Sequence, residues 1–307
     1  MPMIDLEKVL ARMKARQWAL ADFDWDSPGA DRISPELWPK LKTFMADLTW
    51  IEHVGARGFA AMAKKAPNDT LREIYTYFHA EEQRHANAEL ALMKRWGMLE
   101  EGEVPEPNIN LRLVIEWLDR YSDDMPLEVL GSVIPVLEIT LDGALCKFLL
   151  ETVEDPLCHQ VFKRINEDES RHLGVDFHVL EMLGHGKAYQ LGLKFAGTWM
   201  SPKLYLGVLS YFPLLNRMRD NIVEFGLKED KLYECMSKFE RFGGQTPEGR
   251  RNPWYHLMRF HARMVIKRDS LYHKPVNALV KLSNHIPKKW LGDVPTWVTK
   301  ITWRPVA

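Results

Sequence analysis

Three cysteines in 307 residues, Cys146, Cys158 and Cys235, are too few and too scattered for a disulfide framework or a thiolate metal site. They read as core filler in a reducing compartment. Long hydrophobic runs are also missing. The longest, Leu204 to Leu215, covers twelve residues and is interrupted by Gly207 and Pro213, too short to cross a bilayer. The opening MPMIDLEKVLARMKARQW carries acids early and lacks the apolar stretch of a secretory signal, so the expected location is cytoplasmic, free or peripheral on a membrane. No strand-like alternation competes with the helical periodicity, and no tract is of low complexity.

Net charge is nearly absent as well, at −1, but only through cancellation. Residues 1–200 hold 22 Lys and Arg against 33 Asp and Glu, net −11, whereas residues 201–307 hold 19 against 9, net +10. The basic third, with Trp290, Trp297 and Trp303, is expected to face an acidic carrier protein, an anionic membrane surface, or the acidic half of its own or a neighbouring subunit in a homodimer. Its basic residues are dispersed and no binding motif accompanies them, so no nucleic-acid partner is expected.

What is present is helix and core. A chain 46% hydrophobic, with eleven tryptophans, buries a large interior. Helical periodicity places segments at about 4–22, 35–65, 70–97, 109–122, 126–153, 157–183, 187–199, 202–226, 228–241, 252–269 and 274–285. Breaks fall at Asp26-Ser27-Pro28-Gly29, in the acidic, Pro-containing stretch 100–110, at Gly184-His185-Gly186 and at Gly243-Gly244-Gln245-Thr246-Pro247.

One short motif occurs twice. Glu81-Glu82-Gln83-Arg84-His85 and Asp168-Glu169-Ser170-Arg171-His172 both read acidic-Glu-x-Arg-His, and lone glutamates, Glu52 and Glu138, precede them at nearly equal distances. The two copies lie 87 residues apart, and the lone glutamates 86. Residues three apart share a helix face, so Glu82 with His85 and Glu169 with His172 each present a carboxylate and an imidazole to one point. Four helices supplying Glu, Glu-x-x-His, Glu and Glu-x-x-His are the recurrent recipe for a pair of iron or manganese ions inside a bundle. The turns agree. If paired ligands lie level on antiparallel helices, the reversals fall near 67 and 153–154, where the chain reads Ala66-Pro67-Asn68-Asp69-Thr70 and Val153-Glu154-Asp155-Pro156. The competing reading is a set of exposed helix charges with incidental ion pairs.

These motifs resemble the soluble non-haem di-iron oxidases and oxygenases of the ferritin-like superfamily, over about residues 50–175 and at motif level most closely the acyl-carrier-protein desaturases. The resemblance implies an all-α, ferritin-like four-helix bundle with additional N- and C-terminal helices. Residues 1–185 would form the bundle with its N-terminal helix, and residues 186–307 a basic helical extension packed on it. It implies six catalytic metal ligands, Glu52, Glu82, His85, Glu138, Glu169 and His172, for two Fe ions, with Mn as the alternative and dioxygen as co-substrate. The expected activity is an oxygenase or desaturase acting on a hydrophobic small molecule or a carrier-bound acyl chain, with electrons from a reductase or ferredoxin. The alternatives are a ferroxidase or iron store without organic substrate and an interaction scaffold.

Some positions depart from particular relatives. Glu89 stands where ribonucleotide reductase small subunits place a radical-forming Tyr, Ile165 where arylamine N-oxygenases place a third His, and Leu141, between Thr140 and Asp142, where desaturases place a Thr.

Around the ligands, Glu81 and Asp168 are placed to accept the outer N–H of the histidine from the opposite repeat, as metal-bound imidazoles require. Arg84 and Arg171 either pair with those acids or face solvent. Glu89 and Asp176, seven residues after ligand glutamates, lie on the same stripes. His79 is either an accessory group or an ordinary helix residue, His53 should point about 100° away from Glu52, and Trp50, Tyr75, Tyr77 and Trp96 read as packing.

Overall fold

The computed structural model describes residues 4–100, 102–184, 201–226 and 270–291, and part of 227–269. Every regular element among these is helical. In chain order they are α1 (Leu6–Ala15), α2 (Trp38–Lys65), α3 (Asp69–Arg95), α4 (Ile109–Tyr121), α5 (Leu127–Thr152), α6 (Pro156–Gly184), α7 (Pro202–Phe225) and α8 (His273–Ser283). None of the described helices is long and apolar enough to cross a membrane. The helices expected at 187–199, 228–241 and 252–269 lie outside the described residues or only partly within them.

Local chemistry sets the two long hairpins. After Ala66 and Pro67 end α2, the Asn68 side chain accepts from the Leu71 N–H at 2.8 Å and starts α3. At the second reversal α5 stops at Thr152, Asp155 Oδ1 accepts from the Leu157 N–H at 3.0 Å, and Pro156 opens α6. The same Asp155 is buried under the end of α3, where Arg95 and the Trp96 indole both donate to it. One carboxylate thus caps a helix and pins the two hairpins together. Helices α2 and α3 pack along their length, as do α5 and α6, and α2 also meets α5 while α3 meets α6, which closes a four-helix arrangement. Its apolar core includes Phe44, Leu48, Phe59, Phe78, Leu130 and Phe162.

The expected N-terminal helix over 4–22 is shorter in the structure, ending at Ala15. Gln17 and Trp18 leave the helical path because their side chains reach into the bundle, to Glu81 and Asp168. Tertiary hydrogen bonds override a sequence with good helix propensity. On the other side of the bundle α7 packs against α4 and α2, and α8 against α7. The Phe44 and Phe225 rings stack at 4.8 Å, and the Trp117 indole donates to the Lys203 carbonyl at 2.7 Å.

Candidate metal centre

All six expected ligands meet in the middle of the four helices: Glu52 from α2, Glu82 and His85 from α3, Glu138 from α5, Glu169 and His172 from α6. They form two groups that share members. Glu52, Glu82, His85 and Glu169 bring one ligand atom each to within 4.8 Å of one another, and so do Glu82, Glu138, Glu169 and His172. Glu82 and Glu169 belong to both. Such an arrangement could hold two adjacent cations, with Glu82 and Glu169 within reach of both and one further carboxylate and one imidazole for each.

None of the six is more than 4% exposed. Four carboxylates buried at this spacing repel one another and have lost hydration, so they must either hold protons or find countercharge. His85 Nδ1 stands 2.9 Å from Glu169 and 3.4 Å from Glu52, and His172 Nδ1 stands 3.1 Å from Glu82 and 3.3 Å from Glu169. Yet both Nδ1 atoms, Glu52 Oε1, Glu82 Oε1 and both oxygens of Glu138 and Glu169 lack a properly aligned hydrogen bond. Atoms that crowd without bonding geometry are placed as a common cation partner would require. Hard carboxylates with two imidazoles suit iron or manganese, and two divalent ions would cancel the four charges. The residues present therefore fit such a pair.

The outer nitrogens show the crossed arrangement expected from the repeat. His85 Nε2–H donates to Asp168 Oδ2 at 3.1 Å, and His172 Nε2–H donates to Glu81 Oε2 at 2.9 Å. With Nε2 so engaged, each histidine would offer its Nδ1 lone pair to a bound cation. Both arginines turn inward. Arg171 donates to Glu81 at 3.1 Å and also to Asp168, while Arg84 reaches Asp168 at 3.4 Å. Gln17 donates to Glu81 at 2.6 Å and accepts from Arg84 at 2.9 Å. Trp18 donates its indole N–H to Asp168 at 2.8 Å beneath the Arg84 guanidinium, 4.7 Å from the ring. Gln17 and Trp18 carry no sequence signature that marks them for this role.

Glu89 and Asp176 are fully buried on the ligand stripes. His79 is instead tied to the Ala56 carbonyl at 2.7 Å, away from the cluster. His53 packs on Trp50, and burial holds its imidazole at about 3, so it stays neutral. Trp50 and Trp96 hydrogen-bond to the Pro105 carbonyl and to Asp155, in structural roles. Of the cysteines, Cys158 is buried and free.

Gly55, one turn after Glu52, is a further position that composition did not single out. A Cβ there would lie 2.2 Å from Glu82 Oε2. Only glycine leaves room for that shared carboxylate.

The ionisation of the metal-free cluster is unusual and directional. Burial, reinforced by neighbouring carboxylates, lifts Glu82 and Glu138 well above the ordinary range, and lifts Asp176 to about 7. Burial opposes the imidazolium forms of His85 and His172, but the carboxylates around them outweigh it and hold both well above the ordinary value. Burial also opposes ionised Glu169, yet the two histidines pull it down to about 2. Groups with raised values contribute most stability below their unfolded values and lose it as pH rises through the folded ones, whereas Glu169 acts only in acid. Metal-free protein should thus melt at progressively lower temperature between about pH 6 and 8. Metal-saturated protein should not, because cations keep the carboxylates ionised and the imidazoles neutral. Circular-dichroism melts with chelator or with added Fe(II) under anaerobic conditions check this, and a flat metal-free profile would contradict it.

A cavity of about 60 Å³ lies between α2, α4, α5 and α7, lined by Val54, Trp117, Val133, Leu137, Gly207 and Tyr211 among others. Polar side chains in its wall are turned to backbone: Trp117 donates to the Lys203 carbonyl, Tyr211 to the Val133 carbonyl at 3.3 Å and Ser210 to the Leu206 carbonyl at 2.8 Å. The interior is left apolar. Leu137 directly precedes Glu138, and Val54 follows Glu52 by two residues, so wall and cluster share two helices.

No family model and no curated protein sequence matches this chain. Solved structures do. A variant of an R2-like ligand-binding oxidase with an aerobically reconstituted Mn/Fe cofactor superposes with a TM-score of 0.52 at 14% identity, over 91% of this chain and 93% of that one. Another variant, with an aerobically reconstituted Fe/Fe cofactor, gives 0.51 at 14% identity over the same shares. Likeness at this identity speaks for the fold, which is the ferritin-like helical bundle expected from the paired motifs.

Proposed function

We propose that the protein is a non-haem di-metal oxidoreductase that uses dioxygen to oxidise an apolar small molecule or acyl chain. The observation that carries this reading is the pair of buried ligand groups sharing Glu82 and Glu169, in a bundle two of whose helices also wall an apolar cavity. Glu52 and His85 would complete one metal site and Glu138 and His172 the other, with iron in both or manganese in one. When bound, such a pair supplies dioxygen binding and two-electron redox chemistry, with electrons from a reductase or ferredoxin. The structural relatives are named as ligand-binding oxidases with Mn/Fe or Fe/Fe cofactors, which agrees in chemistry.

The chain's own residues do four things in this reading. The four glutamates would balance the charge of the two ions. Asp168 and Glu81 hold the proton on Nε2 of His85 and His172, so Nδ1 stays available. Arg84, Arg171, Gln17 and Trp18 hold those acids in place. The apolar walls around Leu137 and Val54 would receive part of an apolar substrate by burial. A cytoplasmic homodimer, with residues 1–185 as catalytic bundle and 186–307 as extension, fits this division of tasks. Desaturation remains one chemistry among several that the ligand set serves.

The test is anaerobic loading with Fe(II) followed by oxygen, watched by absorbance and Mössbauer spectroscopy, with fatty acids and acyl thioesters of graded length. Accelerated decay of the oxidised intermediate spectrum by one length class is the expected result. Oxidation indifferent to every organic compound, in a closed multi-subunit shell, would instead identify an iron store. Val133→Phe should fill most of the cavity, abolishing the acceleration while leaving the metal content unchanged. Acceleration that persists in this variant would place the substrate elsewhere.

A further inference from the structure

The outer face over the cavity is apolar and unusually prominent. On the first turns of α7, Tyr205, Leu206 and Leu209 are about half exposed, while Leu204, Gly207 and Tyr211 on the inner side line the cavity. This stretch of α7 is thus a one-helix wall between cavity and exterior. Gly207 keeps it close, since a Cβ there would lie 2.6 Å from the Trp117 ring.

Helix α8 adds a second stripe. Val276 and Ser283 face inward, whereas Leu271, Pro275, Ala278 and Leu282, spaced four, three and four residues apart, are exposed. Leu271 is 87% exposed, Leu282 65%, and Trp290 just beyond the helix 69%. The two stripes come together where the Tyr272 ring meets Phe212, a cavity-lining residue, at 6.1 Å. Beside the second stripe stand Lys274 and Lys281, then Lys288 and Lys289, and residues 271–290 contain no Asp or Glu. Lys288 is shared with Glu106 in a solvent-exposed pair. Isolated exposed leucines are ordinary, but two of them in one exposed apolar row with Pro275 and Ala278, flanked by four lysines and a tryptophan, are not.

We propose that this face docks on an anionic lipid bilayer surface, with Leu209, Leu271, Leu282 and Trp290 entering the headgroup boundary and the lysines pairing with lipid phosphates. An apolar stripe parallel to a cationic one is the pattern of interfacial helices. An acidic protein partner would use the lysines without needing protruding leucines. The proposal deepens the functional reading in one respect, that the cavity takes an apolar compound: docking would place the α7 wall against the phase in which such a compound resides.

Vesicle flotation with full-length, metal-loaded protein tests it, using phosphatidylcholine alone or with one-third phosphatidylglycerol. The protein should float with the mixed vesicles at low salt, be released at high salt, and ignore the neutral ones. Lys274→Glu with Lys281→Glu should weaken partitioning by roughly tenfold or more. Leu282→Ser with Trp290→Ala should weaken it by about tenfold. Neither pair should alter metal content or helicity. No flotation, equal flotation on both compositions, or a dimer that Leu282→Ser dissociates would overturn the proposal. Lipid binding needs no redox chemistry, so the two readings fail separately. Oxidation of a detergent-dispersed substrate without flotation would sink only the docking, and flotation by a protein that takes up no metal would sink only the oxidase.

Discussion

Glu82→Gln protein should take up neither metal ion and, compared in chelator, should be harder to unfold than its parent. Both halves of that result follow from one geometry. Glu82 belongs to both ligand groups, so its loss removes a carboxylate from each cation at once and leaves three negative charges where four are needed. Without cations the same carboxylate is a liability: it is buried, repelled by Glu169 and Glu52, and its pKa is driven well above the ordinary range. An amide keeps the shape and removes the charge, so the metal-free variant should gain about 1–3 kcal/mol at pH 8. Adding Fe(II) anaerobically raises the parent's melting temperature by mass action, by about 2.7 kcal/mol of stability at a hundred times Kd, and should not move the variant's. Glu52→Gln is the internal comparison, because Glu52 belongs to one group only and should cost the nearer ion. Elemental analysis and calorimetry read both effects. Full metal retention in Glu82→Gln would show that the carboxylates converge for some reason other than cations.

How much of this centre could be read from the sequence depended on how local each element of it is. Residues three apart on a helix leave a mark in any sequence, and the hairpins around Asn68 and Asp155 mark themselves with caps and prolines, so the convergence of the six side chains and the bundle were legible. The crossed pairs His85–Asp168 and His172–Glu81 were legible too, because the repeat makes each motif the other's support. Trp18 was not. Its bond to Asp168 spans 150 residues, and the surrounding ARQWAL looks like an ordinary continuation of α1. The cavity was equally hidden, since Val54, Trp117, Leu137 and Tyr211 come from four helices and each reads as core. The motif also could not choose among relatives. It pointed to desaturases, whereas the structures that superpose are R2-like oxidases. A pattern of six converging carboxylates and imidazoles says little about a substrate, which is decided by walls that leave no motif.

Gly55 is the sharpest case of a residue whose importance appears only in three dimensions, and Gly55→Ala is expected to disable the centre without disabling the fold. Glycine inside a helix costs up to about 1 kcal/mol relative to alanine, so the substitution taken alone favours α2. Against that gain stands the new methyl, 2.2 Å from Glu82 Oε2 and 2.9 Å from its carboxyl carbon. The carboxylate must swing away, at an overpacking cost of about 1–3 kcal/mol. These terms nearly offset, and metal-free stability should change by less than about 2 kcal/mol. Metal affinity has no such compensation. The displaced carboxylate leaves both ligand groups, and affinity should fall by at least about a hundredfold, beyond the usual penalty for disturbing a supporting residue. Shortening the displaced side chain supplies the diagnostic. In Gly55→Ala/Glu82→Asp the carboxylate is drawn back by one methylene from the methyl, so the double variant should bind metal better than Gly55→Ala alone, although Glu82→Asp by itself should bind worse than the parent. That sign reversal in a double-mutant cycle is the signature of two groups in contact. Additive losses, measured by anaerobic Fe(II) titration, would mean that Gly55 acts on the backbone of α2 and not through Glu82.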